Sequence, residues 1–165
     1  MSEGKVTGYM KWLVFSDSHG RLDYMKKAVE EEKPDRILHL GDVSRDAERL
    51  QAMFPAVPVE MVRGNCDGWY GDAPEEKELR FLGQKVFLCH GHAYHVKLGI
   101  GALTAEARSR EAAVVLFGHT HEPLCYREGP LWVMNPGTAS GFPQATYGVI
   151  EERDGELYCR MEAVR

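Results

Sequence analysis

Five short apolar segments of this sequence each end in a cluster that contains Asp, Asn or His. The first covers residues 12–15, and Asp17 and His19 follow it directly. Four consecutive apolar residues, rich in aromatic and branched side chains, indicate a strand buried on both faces. Polar groups just beyond such a strand lie where α/β sheets place their binding sites. The pattern therefore predicts both a sheet and a site at its edge.

The first half of the chain repeats this pattern with helices between the strands. Apolar residues at helical spacing cover 22–29, and a second strand is predicted at 36–40, ending in Gly41 and Asp42. Ser44 is predicted to be the N-cap of the next helix. A third strand at 59–62 leads to Asn65. This order predicts a βαβαβ unit with a parallel sheet and right-handed crossovers.

The second half favours shorter strands and one further helix. A Gly83 turn predicts a hairpin, a helix is expected over 98–110, and residues 114–117 form a buried strand before His119 and His121. Four more short strands are predicted at residues 124–127, 131–134, 147–151 and 157–161. Asp154 and Gly155 join the last two as a hairpin turn.

The composition restricts the class of protein and of partner. A length of 165 residues suits one domain, with residues 1–10 as a polar N-terminal extension. Apolar residues make up 44% and charged residues 27%, as in globular proteins. The formal net charge is −5 and no basic run occurs, so no nucleic-acid partner is expected. A small molecule is the expected partner instead.

The cysteines and the apolar runs indicate where such a chain would work. No Cys-x-x-Cys pair occurs among the four cysteines, which are Cys66, Cys89, Cys125 and Cys159. This spacing argues against a zinc ribbon and a disulfide framework. The first ten residues lack the apolar segment of a signal peptide, and no run is long enough to cross a membrane. A reduced, cytoplasmic setting without membrane association is therefore expected.

The residues at the strand ends are suited to binding metal ions. They are Asp17, His19, Asp42, Asn65, His90, His119 and His121. Two Asp, one Asn and four His are too many ligands for one metal and suit two. Asp42 stands alone at its strand end and could bridge both ions. Mixed oxygen and imidazole ligands favour Mn, Fe, Zn, Co or Ni over Mg or Ca.

Five motifs occur in order along the chain. They are Ser16-Asp17-Ser18-His19-Gly20, His39-Leu40-Gly41-Asp42, Gly64-Asn65-Cys66-Asp67, Cys89-His90-Gly91-His92 and Gly118-His119-Thr120-His121. Together they resemble those of the calcineurin-like metallophosphoesterases, most closely their small bacterial and archaeal phosphodiesterase branch. A further segment, Asn135-Pro136-Gly137-Thr138, resembles another loop of that branch. Each motif alone is unspecific, but five in order are specific. The resemblance implies a four-layer αββα sandwich of two mixed β-sheets flanked by helices.

The resemblance also implies how the site works. The first metal would be bound by Asp17, His19, Asp42 and His121, and the second by Asp42, Asn65, His90 and His119. A hydroxide bridging the two metals, Mn²⁺ being the first choice, would attack the phosphorus of a small phosphate ester. Asn65 and the metals would steady the charge on the equatorial oxygens.

One position departs from the wider superfamily. Many protein phosphatases of this fold have a histidine after the Asn, which protonates the leaving group, whereas this chain has Cys66. The candidates to replace that acid are Asp67, His92 or water. Since His90 already fills the ligand position, His92 is expected beside the metals rather than on them.

Other readings of single residues and of the whole chain stay open at this point. His39 lies within an apolar strand and is interpreted as a core histidine or a partner of a metal ligand. Trp69 and Tyr70 could stack on a substrate, cover the core or form a dimer contact. A homo-oligomer is therefore one of the alternatives. A phosphomonoesterase or a nucleotide pyrophosphohydrolase is the neighbouring enzymatic alternative. A protein-binding scaffold, like a retromer subunit resembling this branch, is the alternative of another class.

Overall fold

A computed structural model describes residues 10–65, 67, 73–141 and 144–165 of the chain. Residues 1–9 of the predicted extension lie outside the described residues. So do Cys66, Trp69 and Tyr70, for which sequence-based roles were weighed above.

The described residues form ten strands and three α-helices. The strands are β1 Lys11–Phe15, β2 Arg36–His39, β3 Val59–Met61, β4 Glu76–Phe81, β5 Gln84–Cys89, β6 Val114–Leu116, β7 Leu124–Glu128, β8 Leu131–Asn135, β9 Thr146–Arg153 and β10 Glu156–Ala163. The helices are α1 Asp23–Glu32, α2 Ser44–Met53 and α3 Gly101–Ser109. Two 3₁₀ turns, His92–Tyr94 and Val96–Leu98, precede α3.

The strands pair into two five-stranded mixed sheets. Sheet one has the order β10-β9-β1-β2-β3, and sheet two has the order β4-β5-β6-β8-β7. In sheet one the predicted βαβαβ unit is parallel, and β9 joins β1 antiparallel, with Leu13 opposite Val149. In sheet two β5, β6 and β8 run parallel. The central strands of each sheet therefore end at a common edge.

Alternation of side chains along the strands sorts them into three apolar layers. In β1, Trp12 and Val14 pack between the two sheets, whereas Leu13 and Phe15 pack against α1 and α2. The strands of sheet two alternate in the same way between the inter-sheet cluster and α3. Because successive strand residues point to opposite faces, an uninterrupted apolar run is what a strand between two layers requires. The structure confirms the four-layer αββα sandwich.

The helix boundaries differ from the prediction in two places. The cap of α2 is Val43, whose φ is 70°, and Ser44 is the first helical residue. The helix expected from residue 98 begins at Gly101, after the two 3₁₀ turns. Gly99, with a φ of 139°, separates the second turn from α3, which is a conformation that glycine adopts readily.

No α-helix among the described residues is long and apolar enough to cross a membrane.

Candidate metal centre

The predicted ligands lie in loops that leave neighbouring strands of the two sheets. Asp17 and His19 follow β1, and Asp42 follows β2. His90 comes directly after β5, and the loop of His119 and His121 follows β6. The two sheets face each other across the inter-sheet core, so their loops meet at one edge of the sandwich.

One group of three side chains comprises Asp17, His19 and His121. Their ligand atoms all lie within 4.8 Å of one another. His121 Nε2 is 3.1 Å from Asp17 Oδ1, and His19 Nε2 is 3.9 Å from the same oxygen. Asp17 is buried, while both histidines are exposed. The group is therefore open to solvent on its imidazole side.

A second group comprises Asp17, Asp42 and His90, and all three are buried. His90 Nε2 is 3.4 Å from Asp42 Oδ1 and 3.8 Å from Asp17 Oδ1. Asp17 thus belongs to both groups, and its Oδ1 faces three imidazoles. Asp42, which the sequence suggested as the bridging ligand, enters the second group only. Its bridging role stays a prediction.

The orientation of His90 fits a cation between the carboxylates. Its Nδ1 lies 2.8 Å from the carbonyl oxygen of Leu40 and donates to it, since a carbonyl can only accept. Its Nε2 is buried and has no hydrogen-bond partner among the described residues. Burial lowers the pKa of His90, but Asp42 and Asp17 outweigh that effect and raise it. A buried nitrogen facing two carboxylate oxygens is the environment that a metal ion satisfies.

The backbone at five predicted ligands is left-handed. The φ angles are 55° at Asp17, 48° at His19, 61° at Asp42, 70° at His119 and 64° at His121. This conformation costs a non-glycine residue about 1–2 kcal/mol and is commonest for Asn, Asp and His. Four of these residues, Asp17, His19, Asp42 and His121, belong to the two ligand groups.

Hydrogen bonds hold these strained loops in place. Asp17 Oδ2 accepts from Ser16 Oγ at 2.6 Å and from the backbone N–H of His119 at 3.0 Å. The predicted further loop also contributes. Thr138 Oγ1 donates to the Asp17 carbonyl at 2.8 Å, and Asn135 Nδ2 donates to Thr120 Oγ1 at 2.9 Å. Asp17 is therefore fixed from sheet two as well as from its own strand.

Two motif glycines are required by close packing around the carboxylates. A Cβ on Gly64 would lie 2.4 Å from Asp42 Oδ1, and a Cβ on Gly118 would lie 2.8 Å from Asp17 Oδ2. Neither backbone could approach the carboxylates as closely with a side chain in place.

The remaining predicted site residues lie around these groups. His119 is half-buried, and its ring centroid is 5.1 Å from that of His90. Asn65 is exposed in the turn after β3. His92 is half-buried, and its Nδ1 has no partner among the described residues. Burial, followed by the charge of His90, lowers the pKa of His92.

Asp67 and His39 make hydrogen bonds that hold the loops around the ligand groups. Asp67 Oδ2 accepts the backbone N–H of Asp42 at 3.0 Å and that of Gly64 at 2.7 Å. His39 is buried and belongs to neither ligand group, as its position within a strand suggested. Its Nε2 lies 2.9 Å from Ser18 Oγ, which also donates to Asp46. The role of Asp46 was missed, because a carboxylate in the first turn of a helix gives no signal of a distant partner.

Comparison with known proteins agrees with this geometry. The family model for the calcineurin-like phosphoesterase superfamily domain matches residues 10–155. A phosphodiesterase of Methanocaldococcus jannaschii is 29% identical over 170 residues, covering 89% of this chain and 96% of the relative. Phosphodiesterase YfcE of Escherichia coli is also 29% identical, over 86% of this chain and 88% of its own.

Solved structures share the fold. A predicted phosphoesterase from Streptococcus pneumoniae superposes with a TM-score of 0.78 at 26% identity, covering 94% of this chain and 90% of that one. Vacuolar Protein Sorting 29 from Cryptosporidium parvum superposes with a TM-score of 0.75 at 18% identity, covering 94% and 97%. The second likeness shows the fold alone.

Proposed function

The chain belongs to the calcineurin-like phosphoesterase superfamily and is a metal-dependent phosphodiesterase, and we propose that it cleaves a small phosphate ester at the strand-end site. The observation that carries this proposal is the pair of ligand groups sharing Asp17. Both groups contain carboxylate oxygen and imidazole nitrogen, which is the donor set of dinuclear transition-metal sites.

We propose the following ligands for the two metals. The first is bound by Asp17, His19, Asp42 and His121, and the second by Asp42, Asn65, His90 and His119. The two compact groups support the carboxylates and three of the histidines. The ring of His119 beside that of His90 supports the fourth histidine. Mn²⁺ is the first choice, and Fe, Zn, Ni or Co would suit the same ligands.

The metals, Asn65 and Asp67 have different roles around the phosphate. When bound, the metals supply a nucleophile at neutral pH and positive charge for the phosphoryl oxygens. Asn65 is exposed and follows Gly64, which packs against Asp42, so its amide can donate a hydrogen bond to a phosphoryl oxygen. Asp42 is held by the Asp67 carboxylate through its own backbone N–H. This bond fixes the loop that presents Asp42.

We propose that His92, rather than Asp67, donates the leaving-group proton, from the minor protonated fraction that its lowered pKa leaves at neutral pH. The Asp67 carboxylate already accepts the backbone N–H groups of Asp42 and Gly64, so its role is to hold these two loops. The His92 ring lies beside His90 and His119 and has an unpartnered nitrogen among the described residues. Removing His92 should therefore slow esters with poor leaving groups more than nitrophenyl esters.

The test is hydrolysis by metal-stripped protein with and without added Mn²⁺. Bis-p-nitrophenyl phosphate is the diester, and p-nitrophenyl phosphate is the paired monoester. We expect metal-dependent turnover of the diester well above that of the monoester. Faster turnover of the monoester would instead favour a phosphomonoesterase, and cleavage confined to nucleoside diphosphate derivatives would favour a pyrophosphohydrolase.

The Asp42→Asn variant supplies the matched control for that test. It keeps a side chain of the same size but loses a charged ligand, so activity should vanish while the circular dichroism spectrum is retained. Full activity in this variant would contradict the proposed ligand set.

The scaffold alternative has weaker support. Vacuolar Protein Sorting 29 from Cryptosporidium parvum resembles this chain at 18% identity, which concerns the fold only. Here every predicted ligand position holds a residue able to bind a metal, and two compact ligand groups are present. A chain with no bound metal and no turnover would revive this alternative.

We also propose the setting in which the protein works. The absence of basic runs and of Cys-x-x-Cys pairs supports a cytoplasmic enzyme of small molecules, without nucleic-acid or membrane partners. Residues 1–165 are proposed to form one domain, since the family match covers 10–155. A homo-oligomer is compatible with the same site.

A further inference from the structure

His19 is flanked by two residues that bind the same buried carboxylate. Asp46 Oδ2 accepts a hydrogen bond from Ser18 Oγ at 2.6 Å and another from the backbone N–H of Gly20 at 2.6 Å. Asp46 lies in the first turn of α2, 28 residues from Ser18 in sequence, and is only 1% exposed. The carboxylate thus holds the side chain of Ser18 and the backbone of Gly20, on either side of His19.

The same hydroxyl connects this clamp to the loop of Asp42. Ser18 Oγ lies 2.9 Å from His39 Nε2, and His39 Nδ1 accepts the backbone N–H of Gly41 at 3.2 Å. Because Nδ1 is an acceptor, the ring proton of the neutral imidazole is on Nε2 and is donated to Ser18. Ser18 then donates its own proton to Asp46. One chain of hydrogen bonds therefore runs from the Gly41 backbone to the carboxylate.

Among the described residues, the Asp46 side chain makes its hydrogen bonds to the loop that contains His19. Asp46 Oδ1 is buried and has no partner among the described residues, so both bonds of the side chain pass through Oδ2. Burying a carboxylate is costly unless strong hydrogen bonds compensate. The N-terminal turn of α2 also favours a negative charge there.

His19 needs such support because packing gives it little. Its side chain is 37% exposed, and its backbone φ is 48°. A left-handed residue persists only where its surroundings hold it. The two bonds to Asp46 fix the residues before and after it.

We propose that Asp46 is a positioning residue that, through Ser18 and Gly20, holds His19 in the conformation that faces Asp17 and His121. The proposal rests on the proposed function, in which His19 is a ligand of the first metal. Asp46 itself touches neither metal nor substrate. Residues that orient metal ligands typically change metal affinity by 10–100-fold when lost.

The experiment measures metal binding rather than turnover alone. Mn²⁺ is titrated into metal-stripped protein by calorimetry, and visible absorption of the Co²⁺-loaded protein reports the ligand geometry. In Asp46→Ala we expect one of the two metals to bind about 10–100-fold more weakly and the Co²⁺ spectrum to change, while the other metal binds as before.

Two further variants keep the test decisive if Asp46→Ala does not fold. Asp46→Asn retains an oxygen that can accept both bonds, so it should recover part of the lost affinity. Ser18→Ala removes one of the two bonds and should lie between wild type and Asp46→Ala. Glu48→Ala is the control, because it removes an exposed carboxylate from the same helix and should leave both metals unchanged.

The outcomes separate this proposal from the proposed function. If the wild type binds two metals and the folded Asp46 and Ser18 variants bind them equally well, the positioning role is wrong while the metal site stands. If the wild type binds no metal, the proposed function fails and the positioning role fails with it.

Discussion

The two sheets contribute unequally to the candidate metal centre. Sheet one supplies both buried carboxylates, Asp17 and Asp42, together with His19. Sheet two supplies the buried His90 and the exposed His121. Each ligand group takes two residues from sheet one and one from sheet two, so neither sheet can build either group alone. Bound cations would join the sheets at this edge.

The largest effect should come from the residue that sheet one gives to both groups. Asp17→Asn removes the carboxylate whose Oδ1 faces His19, His90 and His121. We expect the loss of the first metal, weaker binding of the second and a fall in diester hydrolysis of at least about 10³-fold, since metal charge stabilises the transition state by several kcal/mol. Elemental analysis and kinetics measure both. Asp23→Asn, at an exposed position of α1, should change neither.

Two of the sheet-two ligands, His90 and His121, should separate stability from activity. His90→Ala and His121→Ala each remove one imidazole, so each should lose about one metal per chain. His90 is buried and donates to the Leu40 carbonyl, so its loss should also cost about 2–4 kcal/mol of unfolding free energy.

The exposed His121 should cost the apo protein little stability. Chemical denaturation of the metal-free variants compares the two. Equal stabilities would show that burial of the sheet-two ligand is irrelevant to the fold.

Metal removal should test whether cations join the sheets. At a free concentration 100 times its dissociation constant, a ligand of the folded state adds about 2.7 kcal/mol, which is about 5–10 °C in Tm for a chain of this length. Calorimetry with Mn²⁺ and with a chelator gives the difference. Bound metal without any change in Tm would mean that the cation interacts equally with the unfolded chain.

The smallest effect should be confined to sheet one and the end of α1, and it should depend on pH. Burial raises the pKa of Glu151, but hydrogen bonds from Arg160 and Arg153 outweigh it and lower that pKa. Glu32 follows the same pattern, with burial opposed by bonds from Tyr147 and Lys11. A lowered folded-state pKa gives stability that is complete above the usual value of 4.5 and is lost as the pH falls through the folded pKa.

Arg160→Gln tests this pH dependence. It should cost about 1–2 kcal/mol at pH 7, and the difference from wild type should shrink below pH 4 in urea unfolding. Arg127→Gln in sheet two is the control, since Arg127 donates to the Gly129 carbonyl, which does not titrate. A pH-independent loss in Arg160→Gln would contradict the assignment.

The strands and the polar clusters that follow them were predictable from the sequence because both leave local signals, whereas the metal ligands stay a prediction. Uninterrupted apolar runs such as residues 12–15 belong to strands between two layers, and the polar clusters after them mark the strand ends. The family resemblance supplied the four-layer arrangement. It was confirmed by the family match and by the two sheets.

Features that depend on distant partners could not be predicted. The pairing of β9 with β1 joins segments more than 100 residues apart and has no local pattern. In the sequence, nothing distinguishes Asp46 from other acidic residues in a first helical turn. Its hydrogen bond from Ser18 is visible only in the structure. Val43 adopts a φ of 70°, a conformation that valine disfavours, because it adjoins Asp42 in the same loop.

The left-handed backbone at the ligands also bears on how such a site could change its metal. The conformation of Asp17, His19, Asp42, His119 and His121 is tolerated best by Asp, Asn and His. These residue types are also oxygen and nitrogen donors to metals. Substitutions among them could exchange hard for softer donors on an unchanged main chain, whereas valine or isoleucine would be strained there, as Val43 is at a φ of 70°. Glycine apart, the main chain thereby favours residues with a donor atom at these positions, and metal preference is expected to change through the histidines, since loss of the charge at Asp17 or Asp42 disables the site.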